Sequence, residues 1–142
     1  MKVKKLTEVA QIERAKKGKT YPAGCTLIAL SATKGDVEYL EEAGEVETRY
    51  AVIIPDTSIV TEKYLHCAIC FFFPEFLSRH RTGINLQFEE LKYLQVAVHS
   101  LADQKEFVNE LEQIDRRIKQ EEEIITKTQD LKKSMLGRLF PE

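Results

Sequence analysis

The chain has 142 residues, 43% hydrophobic and 31% charged, with a formal net charge of −2, which suits about one soluble domain and excludes intrinsic disorder. Its longest apolar run, CAICFFF at 67–73, is far short of the ~20 residues that span a bilayer, and the basic start MKVKKLTEVAQIERAKKG lacks the apolar stretch of a secretory signal. With an odd number of cysteines, three, these features point to a cytoplasmic, thiol-bearing protein with no membrane partner.

In chain order, LTEVAQIERAKKGK spaces Leu6, Val9, Ala10 and Ile12 like one face of a short amphipathic helix, with Gly18 as its stop. YPAG is a turn, CTLIALSA a buried strand, Lys34-Gly35-Asp36 the next turn and VEYL a short strand. VETRYAVIIP alternates Val46, Thr48, Tyr50, Val52 and Ile54 with its other residues, a third strand that Pro55 ends. From Ser58 to about Arg81 the apolar positions Tyr64, Leu65, Ala68, Ile69, Phe72 and Phe73 recur at helical intervals, with a kink or restart expected at Pro74. Gly83 and Asn85 break that helix. A short helical turn at FEEL follows, and then KYLQVAVHS reads as one more strand.

Leu101 to Leu136, about 36 residues without Gly or Pro, makes a single helix roughly 50 Å long at 1.5 Å per residue. Phe107, Leu111, Ile114, Ile118, Ile125, Leu131 and Met135 form its apolar stripe, interrupted by Glu121, Glu122 and Glu123. So narrow a stripe needs another helix beside it. No segment of matching length exists in the chain, so the expected neighbour is a second copy or another protein. The expected class is therefore α+β: a small globular domain at 1–100, with a mixed β-sheet and helices, then a long C-terminal coiled-coil helix at 101–142.

Charge is uneven. Residues 1–20 carry seven Lys or Arg against Glu8 and Glu13, whereas 36–48 carry six acids and no base. Such polarity suits a basic face turned toward phosphate, and it equally suits an ordinary mixed surface.

Enzymatic motifs fail one by one. Lys17-Gly18-Lys19-Thr20 ends like a phosphate-binding loop, but Glu13 stands where its first Gly belongs. His66, Cys67 and Cys70 have no second pair to complete a zinc site, so no metal is expected and core packing is the simpler reading. His99, Ser100 and Asp103 adjoin without a nucleophile elbow.

Basic and amide groups remain. Lys16, Lys17, Lys19, Arg79, His80, Arg81, Thr82 and Asn85 include the residue types that hold phosphates and read base edges, and they are the candidate DNA contacts. Asn85 after Gly83 is equally a turn or capping residue.

The runs TGINLQFEELKYLQVAV, LADQKEFVNELEQIDRRI and LKKSMLGRLF together resemble the end of a target-recognition domain and its following helix in the DNA-specificity subunits of type I restriction–modification enzymes. The likeness rests on the order of Gly83 to Leu86, Tyr93 to Val98, Gln104, and Leu131-Lys132-Lys133 through Phe140. The opening KLTEVAQIERAKKGKTYPAG is similar too, so nearly the whole chain is covered. VHSLADQ replaces the family's proline-rich stretch before the Gln, and a typical subunit has two recognition domains and two helices where this chain has one of each.

The resemblance implies a chain with no chemistry and no cofactor of its own. It would place a methyltransferase partner, which binds S-adenosylmethionine, on double-stranded DNA with a bipartite, adenine-containing site. It also implies that a half-length chain pairs head-to-tail with itself, or with another specificity subunit, to rebuild the two-domain layout. A ~50 Å helix then separates half-sites by about fifteen base pairs. The alternative is a coiled-coil assembly or decoy protein that occupies the methyltransferase without reading DNA.

Overall fold

A computed structural model describes residues 1–141. In order, the elements are β1 (Lys2–Lys5), the single turn α1 (Leu6–Val9), β2 (Ala10–Arg14), β3 (Thr20–Tyr21), β4 (Thr26–Ala29), β5 (Val37–Tyr39), β6 (Gly44–Glu45) and β7 (Tyr50–Pro55). Then come α2 (Glu62–His80), a 3-10 segment (Phe88–Tyr93), β8 (Gln95–Val98) and α3 (Leu101–Leu139). The chain divides into two compact units, Met1–Lys105 and the part of α3 from Glu106 onward.

The class is α+β, with every strand pairing antiparallel. A four-stranded sheet runs in the order β2-β7-β4-β5, and two small ladders pair β1 with β8 and β3 with β6. The sheet is buried on both sides because its two central strands are apolar at successive positions. Ile28, Ala51 and Ile53 face a core that includes Leu65, Ile69 and Phe73 of α2. Their neighbours Leu27, Ala29, Tyr50 and Val52 turn the other way, onto Tyr21, Cys25 and Val46. Period-two geometry makes that division.

Helix α2 begins where Thr61 accepts the N–H of Tyr64 with its side chain, 3.3 Å, an N-cap that satisfies one orphan donor. It runs unbroken through Pro74 to His80, so the restart allowed for at that proline does not occur. A proline forfeits one helical hydrogen bond, and the burial of Phe73, Phe76 and Leu77 on either side supplies packing enough to carry the helix past it.

Two further expectations are corrected. The amphipathic helix expected from Leu6 lasts one turn: Ala10 takes an extended backbone, and Ala10–Arg14 pairs with β7, placing Ile12 opposite Ile53. Leu6 and Val9 suit a helix, but a strand beside β7 packs Ile12 against the core and puts five residues in register with a partner. The strand expected from Val46 starts only at Tyr50, because Tyr50 N–H turns back onto the Glu47 carbonyl, 3.1 Å. β1 was outside expectation, and α3 continues past Gly137 to Leu139.

The first turn of α3 is fastened by one side chain. Gln104 is fully buried. Its Oε1 accepts from the Thr61 N–H at 2.8 Å, and its Nε2 donates to the carbonyls of Ile59 (2.9 Å) and His99 (2.7 Å). Three of the amide's four bonding positions are thus used, as a buried Gln requires. Ser100 accepts from Asp103 N–H, 3.2 Å, so the Ser100 considered for a nucleophile caps a helix.

From Glu106 onward α3 is a unit of its own. Its apolar side chains are exposed, among them Leu111, Ile114, Ile118, Ile125, Leu131 and Met135, and Arg117 pairs with Glu121 one turn on, 3.3 Å.

Candidate nucleic-acid interface

The junction after α2 is built by hydrogen bonds that leave its cations at the surface. Arg81 closes the helix, its N–H reaching the Leu77 carbonyl at 3.0 Å. Thr82 and Asn85 then exchange backbone bonds, 2.7 and 3.0 Å, making a tight turn whose second residue, Gly83, has φ +60°, a conformation that suits glycine. The Asn85 side chain accepts the N–H of Ala32 at 3.0 Å. Thr33 N–H donates to Ile84, and Leu86 N–H to Leu30, at 2.8 and 2.9 Å. The loop at 30–33 and the TGIN turn are thereby stitched into one surface, with Ile84 exposed at its tip. Asn85 spends its oxygen on that stitching.

Of the cations, Arg79 pairs with Glu75 at 2.6 Å on the exposed side of α2, a contact of the weak surface kind that a phosphate could replace. Arg81 has no side-chain partner among the described residues and is exposed. His80 is held differently. Its Nδ1 lies 2.7 Å from Glu90, and its ring stacks between Phe76 and Tyr93, at centroid distances of 4.2 and 5.9 Å. A groove of about 290 Å³ runs past Phe76, Arg79, His80, Tyr93 and Gln95. Sequence reasoning missed this stack; only the four-residue step from Phe76 to His80 could have hinted at it.

Lys16, Lys17 and Lys19 sit in the turn between β2 and β3, with Gly18 at φ +82°. Lys19 binds Glu13 and lies over the Tyr21 ring, 5.1 Å from its centroid. The hydrogen bond that Lys19 donates to Glu13 holds the Glu13 carboxyl below its ordinary range and raises the Lys19 pKa. The Tyr21 hydroxyl accepts from the Lys16 N–H, 3.1 Å.

The two basic groups are rooted on opposite faces of the four-stranded sheet: the lysine turn on the Tyr21 side, the arginine pair on the side of α2. No hydrogen bond or ion pair joins them among the described residues.

The histidine and cysteines are otherwise engaged. His66 Nδ1 lies 3.3 Å from the Thr26 hydroxyl, and Nε2 lies 3.4 Å from Cys70 Sγ. Burial lowers the His66 pKa and pushes the Cys25 thiol up to about 11, which disfavours thiolate chemistry there.

No protein-family model matches the sequence, and no curated protein matches it significantly. Solved structures do. The type I restriction–modification S subunit from M. genitalium superposes over 99% of this chain with a TM-score of 0.65 at 16% identity. The chain has the fold of a type I specificity subunit. The HsdS subunit from Thermoanaerobacter tengcongensis shares that fold over 82% of this chain, with a TM-score of 0.63 and 18% identity. So does a chain from a structure of the complex assembly and conformational transition of the type I R-M system, over 97%, with a TM-score of 0.72 and 17% identity. The present chain spans less than half the length of each of the three: 46%, 37% and 43% respectively. The specificity-subunit fold here comprises one α+β domain and one long helix. No helix among the described residues is long and apolar enough to cross a membrane.

Proposed function

We propose that this chain is a non-catalytic DNA-recognition half-subunit of a type I restriction–modification methyltransferase, working as a head-to-tail dimer on a bipartite site. The observations that carry the reading are the fold likeness, which extends over nearly all of this chain, and the apolar stripe that α3 leaves open. A long helix with an open apolar stripe is covered by a second helix of the same kind, from a copy of this chain or from another specificity subunit. In this reading Arg79 and Arg81 contact phosphates beside the loop that Thr82 and Asn85 shape, the Lys16–Lys19 turn offers a separate basic surface on the other face of the sheet, and α3 docks the methyltransferase.

The reading is tested by electrophoretic shift with and without the cognate methyltransferase subunit. Sequence-selective retention of DNA by the mixture supports it. Absence of selective binding in both settings removes it.

A second reading is favoured by a specific feature. Lys19, Arg79 and His80 each face a carboxylate within the chain, which reduces the free positive charge offered to DNA. An assembly or decoy protein that binds the methyltransferase without reading DNA would need no such charge. Replacing Arg79 and Arg81 with Ala separates the two, since the recognition reading requires DNA binding to fall while methyltransferase binding persists.

A further inference from the structure

The lysine turn and the arginine pair are rooted on opposite faces of the four-stranded sheet, yet they emerge at the same end of it. Ala51 pairs with Arg14 on one side and with Ile28 on the other, and Ile28 pairs with Val37. The end of β2, the start of β7, the end of β4 and the start of β5 are therefore level. The ladder continues outward, where Ala15 N–H donates to the Tyr50 carbonyl at 3.0 Å and Leu30 N–H to that of Arg49 at 2.8 Å. Lys16 and Lys17 follow Ala15, Lys34 lies in the loop between β4 and β5, and the turn after Arg81 is joined to Leu30 by the Leu86 N–H, 2.9 Å. Lys16, Lys17, Lys34, Arg49 and Arg81 are all exposed. One end of the sheet thus presents these cations together.

The other end carries the opposite sign. Asp56 N–H bonds the Val9 carbonyl and Gly24 N–H that of Leu40, both at 2.8 Å, which gathers the exposed Glu8, Glu41, Glu42 and Asp56 there. Glu62 packs against Gly24 at the same end, followed in sequence by Lys63. Charge is graded along the strand direction, and such a field turns the basic end toward a polyanion.

At the basic end Lys34 and Arg49 share a cavity of about 200 Å³ with Asp36, Glu38 and Tyr50. The Arg49 guanidinium lies over the Tyr50 ring, 4.4 Å from its centroid. Its Nε donates to Glu47 at 3.0 Å, and a terminal nitrogen donates to the Tyr50 hydroxyl at 2.7 Å. Those bonds fix the plane of the fork and occupy two of its five N–H donors, leaving the others for an anionic oxygen. Glu38 spends an oxygen on the Tyr50 hydroxyl, 3.1 Å. Asp36 is the acid nearest Lys34 in sequence, but no ion pair engages Lys34 among the described residues.

We propose that this end of the sheet is the DNA-facing surface, and that Lys34 and Arg49 hold the phosphate backbone between the lysine turn and Arg81. The proposal rests on the DNA-recognition reading above and adds to it two contact residues and the joining of two basic groups into one surface. Strands lie ~4.8 Å apart, so the row from β2 to β5 spans roughly 14 Å, about four base-pair rises of ~3.4 Å. A backbone crossing the strand ends meets the cations in turn. Contacts of this kind position a duplex without reading its sequence.

Salt titrations of a random-sequence duplex, bound by the full chain with the cognate methyltransferase subunit, test it. Lys34→Ala and Arg49→Ala are each expected to weaken binding and to reduce the slope of log affinity against log salt by about 1, while Lys63→Ala at the acidic end leaves the slope unchanged. Lys34, exposed and unpaired, carries the test if Arg49→Ala fails to fold. An unchanged slope for Lys34→Ala and Arg49→Ala, with Arg81→Ala still reducing it, overturns the proposal and leaves the DNA-recognition reading intact. An equal reduction by Lys63→Ala means that overall charge and not this surface is read out, and overturns it too. No DNA binding by the wild-type mixture overturns the proposal and the reading together.

Discussion

Asn85 and Ala32 stand 53 positions apart and are joined by a 3.0 Å hydrogen bond from the Ala32 N–H to the Asn85 side-chain oxygen. Ala32 has φ +49°, a left-handed backbone that costs an L residue about 1–2 kcal/mol. The amide thus helps to hold the loop in a conformation its own residue resists. Asn85→Ala is expected to lower stability by about 1 kcal/mol, and Ala32→Gly to raise it by up to about 1 kcal/mol by relieving the strain. Chemical denaturation of the two variants checks the opposite signs.

Gln104 supports the start of α3 through three hydrogen bonds in a fully buried position. Gln104→Ala leaves one N–H and two carbonyls without their partner and is expected to destabilise the protein on the order of 3 kcal/mol. Gln104→Glu keeps the acceptor for Thr61 but sets a carboxylate against two carbonyls, so it should be no milder at neutral pH. Thermal unfolding of both variants provides the comparison.

Arg81 is exposed and lacks a side-chain partner among the described residues, whereas Arg79 is held by Glu75. Arg81→Ala should change stability by less than about 0.5 kcal/mol, weaken DNA binding, and reduce the slope of log affinity against log salt by about 1. Glu75→Ala frees Arg79 and should tighten DNA binding. Filter or mobility-shift titrations at several salt concentrations distinguish these outcomes from a purely structural role for the arginines.

His66 supplies a pH dependence with a definite sign. Burial is the main cause lowering its pKa in the folded chain, partly opposed by Glu41, so the folded state binds a proton less readily than the unfolded state. The stability this group contributes is present above its unfolded pKa, ~6.5, and is lost as pH falls through the folded value. Stability should therefore decline below about pH 6.5, and His66→Gln should flatten that decline. Urea midpoints between neutral and mildly acidic pH measure it.

Much of this architecture is legible in the sequence because its elements announce themselves by period. The buried run at Cys25–Leu30, the short strand at Val37, the helix containing Phe72 and Phe73, and the long charged helix with its apolar stripe each carry a local signal. The failures have a shared cause. In LTEVAQIER the residues Leu6, Val9 and Ile12 fit helix and strand alike, and only pairing with β7 decides between them. β1 looks like a polar tail until β8 lies beside it.

At the candidate interface, residue types were readable but arrangement was not. The sequence shows Arg79, His80 and Arg81 as neighbours. The fold separates their roles, stacking His80 between Phe76 and Tyr93 while the arginines stay outside. Gln104 was marked by its place in the motif, but the distant contacts at Ile59 and Thr61 that give it its role arise only from folding.

Selection of bound duplexes from a randomised DNA pool, by the full chain mixed with the cognate methyltransferase subunit, tests the central claim most directly. DNA reading by a twofold pair predicts enrichment of two inverted half-sites at a constant spacing. A bound pool with no sequence enrichment, obtained while the chain and the methyltransferase still co-purify, would contradict it.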